Sequence, residues 1–199
     1  LPQIEEAVEK AGIGFDKISR VILTHQDIDH IGSVLSIKAK LTDRVKILAH
    51  EEESPYIQGD KCPLKLEQLE SKLEVLPVEM KMVYEKLKAG FQSSKSKVDI
   101  TLKDGEELPY CGGISVIHTP GHTPGHICLY LKQRKILIAG DMLGVEGGVL
   151  VSSPENINFD QNMYLESLEK IAQYDIQSVI CYHGGLFQDN VTKCLTELK

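Results

Sequence analysis

Apolar residues at Ile4, Val8, Ala11 and Ile13 recur at helical spacing, so the chain opens with an amphipathic helix that stops near Gly12 to Gly14. Short apolar runs follow at 21–23, 45–49, 114–117, 127–131, 136–139 and 179–181. Their length and β-branched content suit buried strands. Residues 31–40 read as a helix, and so does 160–173, where Leu165, Leu168 and Ile171 share a face. Strands alternating with helices predict a layered α/β domain. The segment 61–97 breaks this rhythm with two helical stripes, Leu66/Leu69/Leu73/Leu76 and Met80/Val83/Leu87, separated by Pro77. A helical hairpin inserted between two strand-bearing halves is expected there. It serves either as a lid with an apolar inner face, suited to acyl chains, or as plain packing or a dimer contact.

Composition narrows the class. A chain of 199 residues with 42% hydrophobic content supports one domain, 1–199, with a substantial core. No apolar run approaches the ~20 residues of a membrane span, and no secretory signal is read at the start. A net charge of −7 argues against nucleic acid as a ligand and against a tRNA-processing nuclease. The five cysteines (62, 111, 128, 181 and 194) form no C-x-x-C pair, which points to reduced thiols in the cytoplasm. Cys181 reads as a small core residue rather than part of a site. The expected partner is a small-molecule substrate, with neither nucleic acid nor membrane involved.

The chemistry sits where strands end. Thr24-His25-Gln26-Asp27-Ile28-Asp29-His30 places two imidazoles and two carboxylates directly after the run 21–23. His118-Thr119-Pro120-Gly121-His122-Thr123-Pro124-Gly125-His126 follows the strand at 114–117, Asp141 follows 136–139 and Gly140, and His183 follows 179–181. Four strand ends, each carrying His or Asp, predict a metal site along one rim of a sheet. Glycine beside a ligand allows a sharp turn and close backbone approach. His118 and His126 are expected to support His122 rather than bind metal, because Pro120, Gly121, Pro124 and Gly125 forbid a common helical face. His50 is left unassigned as a local hydrogen-bonding residue. Glu51-Glu52-Glu53 reads as the solvated first turn of a helix.

With these motifs in order, the chain resembles the metallo-β-lactamase superfamily, within its glyoxalase II-like and lactonase-like hydrolases. The resemblance runs from about residue 21 to 185. The fold it implies is a four-layer αββα sandwich carrying the helical hairpin as an insertion. By that comparison the chain would lack the N-terminal strands, on the order of 40 residues, either as a truncated or proteolysed form or as a genuine short variant. An exposed sheet edge left by their absence favours a homodimer.

The resemblance also implies a ligand set. His25, Asp27 and His122 would hold a first divalent metal; Asp29, His30 and His183 would hold a second; Asp141 would bridge them. The implied function is metal-dependent hydrolysis by a metal-bound hydroxide, with Asp29 orienting the water and moving its proton as the catalytic residue. The substrate class is a small carbonyl ester, lactone or thioester. Asp27 departs from the family, turning H-x-H-x-D-H into H-x-D-x-D-H. The added carboxylate shifts preference from Zn toward Mn or Fe, with Zn still the first expectation. Two alternatives accompany this reading: a diiron redox module, and a non-catalytic metal- or ligand-binding member.

Overall fold

A computed structural model describes residues 1–198, with the backbone alone for Asp43. The chain divides into two compact units, Leu1–Ala49 with Ser54–Thr101, and His50–Glu53 with the chain from Leu102 onward. Among the described residues, no helix is long and apolar enough to cross a membrane.

The first unit runs α1 (Pro2–Lys10), β1 (Arg20–Ile22), the single turn α2 (Ile28–Ile31), α3 (Val34–Leu41), β2 (Lys46–His50, whose last residue counts with the second unit), α4 (Ser54–Gln58), α5 (Leu64–Glu70), α6 (Val78–Ser94) and β3 (Ile100–Leu102, likewise at its last residue). The strands form a sheet in the order β1-β2-β3, with β1 and β2 parallel. Leu23, Ile31, Ile37, Ile47 and Phe91 belong to its core. The helix expected over 31–40 is interrupted: α2 ends at Ile31, and α3 begins only at Val34. Gly32 and Ser33, both weak helix formers, separate the two.

Helices α5 and α6 occupy the expected 61–97 segment, but α6 turns a different face inward. Tyr84 and Phe91 are buried and Leu87 packs against the core, whereas Met80 and Val83 are 37% and 41% exposed. The aromatic rings carry more apolar surface than Met and Val, and they set the rotation of the helix. Gly90 lets α6 approach α2 closely, since a Cβ there would lie 3.2 Å from Ile28 Cγ1.

The second unit contains β4 (Glu107–Leu108), β5 (Ile114–His118), β6 (Ile127–Leu131), β7 (Ile136–Gly140), the hairpin β8 (Leu143–Glu146) and β9 (Val149–Ser152), α7 (Gln161–Ile171), β10 (Ser178–Cys181), β11 (Gly185–Phe187) and α8 (Val191–Glu197). Six strands pair in the order β11-β10-β7-β6-β5-β4. β5 is antiparallel to β6, β6 is antiparallel to β7, and β7 is parallel to β10. Strands β5, β7 and β10 therefore point the same way, and their C-terminal ends share one edge. Helix α7 starts at Asp160, whose carboxylate accepts the Met163 N–H at 3.0 Å. It buries Tyr164, Leu168 and Ile171 in a core with Leu137 and Val179. Leu165, expected on the inner face, is 40% exposed, because Tyr164 takes that place.

The chemistry-bearing strand ends were expected along one rim of one sheet. The structure distributes them over two: β1 lies in the three-stranded sheet, and β5, β7 and β10 in the six-stranded one.

Candidate functional site

In the second unit, the loop after β5 is shaped before any ligand is considered. His118 donates from Nε2 to the Pro124 carbonyl at 2.8 Å. Gly125 N–H donates to Glu53 Oε1 at 2.8 Å, and Glu53 is fully buried. Gly121 has φ of +135°, and a Cβ there would come within 2.3 Å of Tyr164 Cα, so no larger residue fits. These contacts hold His122 in the interior. Its Nδ1 faces Asn158 Oδ1 at 3.3 Å and Ser153 Oγ at 3.5 Å. A proton on Nδ1 can be given to Asn158, which leaves Nε2 as a lone-pair donor.

That Nε2 lies 3.7 Å from Asp141 Oδ2. Asp141 follows β7, and its N–H donates to His126 Nε2 at 3.2 Å. His126 is fully buried and its Nδ1 is 2.8 Å from Thr119 Oγ1, so Nδ1 carries the proton in this network. His183 follows β10 and reaches the same Asp141 Oδ2 from the other side, its Nε2 at 3.4 Å. Gly184, at φ of +96°, turns the chain directly after it, and a Cβ there would strike the Val145 carbonyl at 2.1 Å. One carboxylate oxygen is thus flanked by two imidazoles.

In the first unit, the loop from β1 into α2 carries the other donors. Thr24 Oγ1 lies 3.0 Å from His25 Nδ1 and 3.5 Å from His30 Nδ1, and the two rings are 4.0 Å apart. His25 Nε2 is 3.4 Å from Asp27 Oδ2, and His30 Nε2 is 3.5 Å from Asp29 Oδ2. His25 and Asp27 are buried, while the Asp29 side chain is 44% exposed. Helix α5 starts against this loop. Gln26 Oε1 accepts the Leu64 N–H at 3.0 Å, and Lys65 Nζ donates to Asp27 Oδ2.

The donor chemistry fits divalent metal. Two ligands on one tetrahedral ion with bonds of 2.0–2.1 Å lie about 3.3 Å apart. The four imidazole–carboxylate pairs have separations of 3.4, 3.5, 3.4 and 3.7 Å, which is long for a hydrogen bond and close to co-ligand spacing. Every residue expected as a ligand from the sequence belongs to such a pair within its own unit.

The supporting residues were less visible in the sequence. Asn158, Ser153, Glu53, Gln26 and Lys65 stand far along the chain from the groups they hold, and no local motif marks them. Glu53 corrects the reading of 51–53 as a solvated turn: Glu51 and Glu52 are exposed, but Glu53 points inward to Gly125. His118 holds the Pro124 carbonyl, and His126 holds the Asp141 N–H. Cys181 is a core residue whose thiol burial pushes up to about 12.

His50, Glu52 and His118 also offer donor atoms within 4.8 Å of one another. The rings of His50 and His118 are stacked, with centroids 4.0 Å apart and planes at 14°. Two imidazoles that bind one ion each hold it near their ring plane, which stacked parallel rings cannot do. Instead, His50 Nδ1 accepts the Glu52 N–H at 3.3 Å, and burial together with His118 lowers its pKa to about 4.

The sequence profile of the metallo-beta-lactamase superfamily matches residues 2–183. Among relatives, the probable metallo-hydrolase YflN of Bacillus subtilis is 29% identical over 214 residues, covering 98% of this chain and 75% of its own length. Among solved structures, the metallo-beta-lactamase family protein TTHA1429 of Thermus thermophilus superposes with a TM-score of 0.68 at 24% identity. That match covers 98% of this chain and 64% of TTHA1429. TTHA1623, solved in a di-iron-bound form, gives a TM-score of 0.65 at 19% identity, covering 99% of this chain and 82% of the other. The fold, the profile and the ordered His/Asp strand ends agree: the chain belongs to the metallo-beta-lactamase superfamily.

Proposed function

We propose that this chain is a binuclear metallo-hydrolase of a small carbonyl ester, lactone or thioester, its two units working as one domain. The observation that carries the reading is Asp141 Oδ2, set 3.7 Å from His122 Nε2 and 3.4 Å from His183 Nε2. A carboxylate flanked by two imidazoles is a donor set suited to divalent metal. In this reading His25, Asp27 and His122 would hold the first metal, and Asp29, His30 and His183 the second. When bound, two such ions lower the pKa of water toward neutrality and polarise a carbonyl oxygen.

The chain's own groups do the rest. His126 fixes Asp141 by accepting its backbone N–H, and Asn158 fixes the His122 tautomer. Asp29, the most exposed of the carboxylates in this set, is placed to pass a proton to solvent. Val75, Val78, Met82 and Val83 are exposed on or before α6 and offer apolar surface for an acyl group. The net charge of −7 disfavours a polyanionic substrate. All five cysteines are free thiols, which suits the cytoplasm.

Zinc is the first expectation, and the Asp27 carboxylate extends the choice to Mn or Fe. Asp27 also favours one second reading, a diiron redox centre. The di-iron-bound TTHA1623 shares the fold, and visible colour with iron content would separate the two readings.

The test is Asp29→Ala against a panel of esters, lactones and thioesters. We expect turnover to fall by about 10²-fold or more, with an unchanged far-UV circular dichroism spectrum. Undiminished turnover would remove Asp29 from the mechanism.

A further inference from the structure

We propose that Lys65 tunes the first metal site, balancing the charge of Asp27 so that this carboxylate binds metal more like the neutral imidazole the family places there. The proposal rests on reading His25 and Asp27 as metal ligands.

The contacts all lie within the first unit. Lys65 Nζ donates to Asp27 Oδ2, the same oxygen that stands 3.4 Å from His25 Nε2. The Asp27 side chain is 4% exposed and the Lys65 side chain 36%. A carboxylate that deeply buried needs a counter-charge. Lys65 is held there by the chain around it: Leu64, its neighbour, donates its N–H to Gln26 Oε1 at 3.0 Å. Two successive residues of the ligand loop, Gln26 and Asp27, thereby grip two successive residues of α5. A lysine in the first turn of a helix meets the positive end of the dipole, so its place there is locally unfavourable. The ion pair with Asp27 supplies the reason for it.

The consequence follows from charge. An ammonium sharing Oδ2 withdraws electron density from the donor atom and repels an incoming dication. Asp27 and Lys65 together carry no net charge, as an imidazole carries none. Removing the ammonium leaves a full carboxylate on the first site. Divalent ions should then bind more tightly, and the harder Mn should gain more than Zn.

The experiment is chelator-competition titration of Zn and Mn on wild type, Lys65→Met, Lys65→Gln and Lys65→Arg. One of the two equivalents should bind about ten-fold more tightly in Lys65→Met and Lys65→Gln, a moderate value because the pair is partly open to solvent. Lys65→Arg, which keeps the charge, should stay near wild type. A merely structural lysine predicts the opposite sign, since loosening the loop weakens metal binding. In the Asp27→Asn background, Lys65→Met should tighten binding by less than it does in the wild type, because the part that acts through the carboxylate is gone. Unchanged or weakened binding in both neutral variants would overturn the proposal. Wild-type protein that binds no metal would instead defeat the hydrolase reading beneath it.

Discussion

Replacing His126 by Phe separates a supporting role from mere packing. The ring volume is nearly kept, but both nitrogens are lost. Nε2 accepts the Asp141 N–H at 3.2 Å, and Nδ1 pairs with Thr119 Oγ1 at 2.8 Å. Thr119 keeps alternatives, with the residue-126 carbonyl at 3.4 Å and Cys128 Sγ at 3.5 Å. The Asp141 N–H loses its ring acceptor, at a cost of roughly 1–3 kcal/mol, and the weakened Thr119 contact brings the total to about 2–4 kcal/mol. Asp141 is also the carboxylate between His122 and His183, so in the proposed reading its freedom should reach the metals. Loss of an outer partner of this kind typically lowers metal affinity by about 10–100-fold. Urea unfolding of metal-stripped protein reads the first quantity, and chelator competition on folded protein reads the second. A variant destabilised as expected, yet binding metal within about two-fold of wild type, would refute the argument that His126 acts on the metals through Asp141.

Two further outcomes follow from buried groups in the second unit. Tyr164 donates its hydroxyl to the Met142 carbonyl at 2.6 Å and accepts the Ser153 N–H at 2.8 Å, and burial keeps the phenol neutral by raising its pKa to about 12. Tyr164→Phe orphans two buried backbone groups and should cost about 2–4 kcal/mol by urea unfolding; a change below about 0.5 kcal/mol would contradict it. The pKa of His50 is lowered from 6.5 to about 4, chiefly by burial and then by His118, with Lys170 adding and Glu51 and Asp104 opposing. As pH falls from 6.5 to 4, the unfolded chain takes up this proton while the folded one resists, so stability drops by up to about 3 kcal/mol across that window. His50→Phe should lose this component, faring better relative to wild type at pH 4.5 than at pH 7.5, and an equal difference at both pH values would refute the assignment.

The candidate donors stand out in the sequence because they are local. A strand followed at once by His or Asp is a short-range signal, and Thr24 to His30, Gly140-Asp141 and Tyr182-His183-Gly184 each fit in a few residues. The sequence carried the sheet edges poorly. β4 has two residues, β3 and β11 three each, and runs that short have no period to detect. The facing of α6 and α7 turned on competition between apolar residues, with Tyr84, Phe91 and Tyr164 displacing Met80, Val83 and Leu165 from the interior. Side chains that hold the donors were invisible for another reason. Glu53 meets Gly125 across 72 positions, Asp27 meets Lys65 across 38 and Asn158 meets His122 across 36, and only the folded chain reveals such pairs.

Metal content measured by elemental analysis, on protein purified without chelator and again after reconstitution with Zn, Mn and Fe, bears most directly on the central claim. About two ions per chain are expected under the proposed binuclear reading. Fewer than one per chain after reconstitution with all three metals would contradict it.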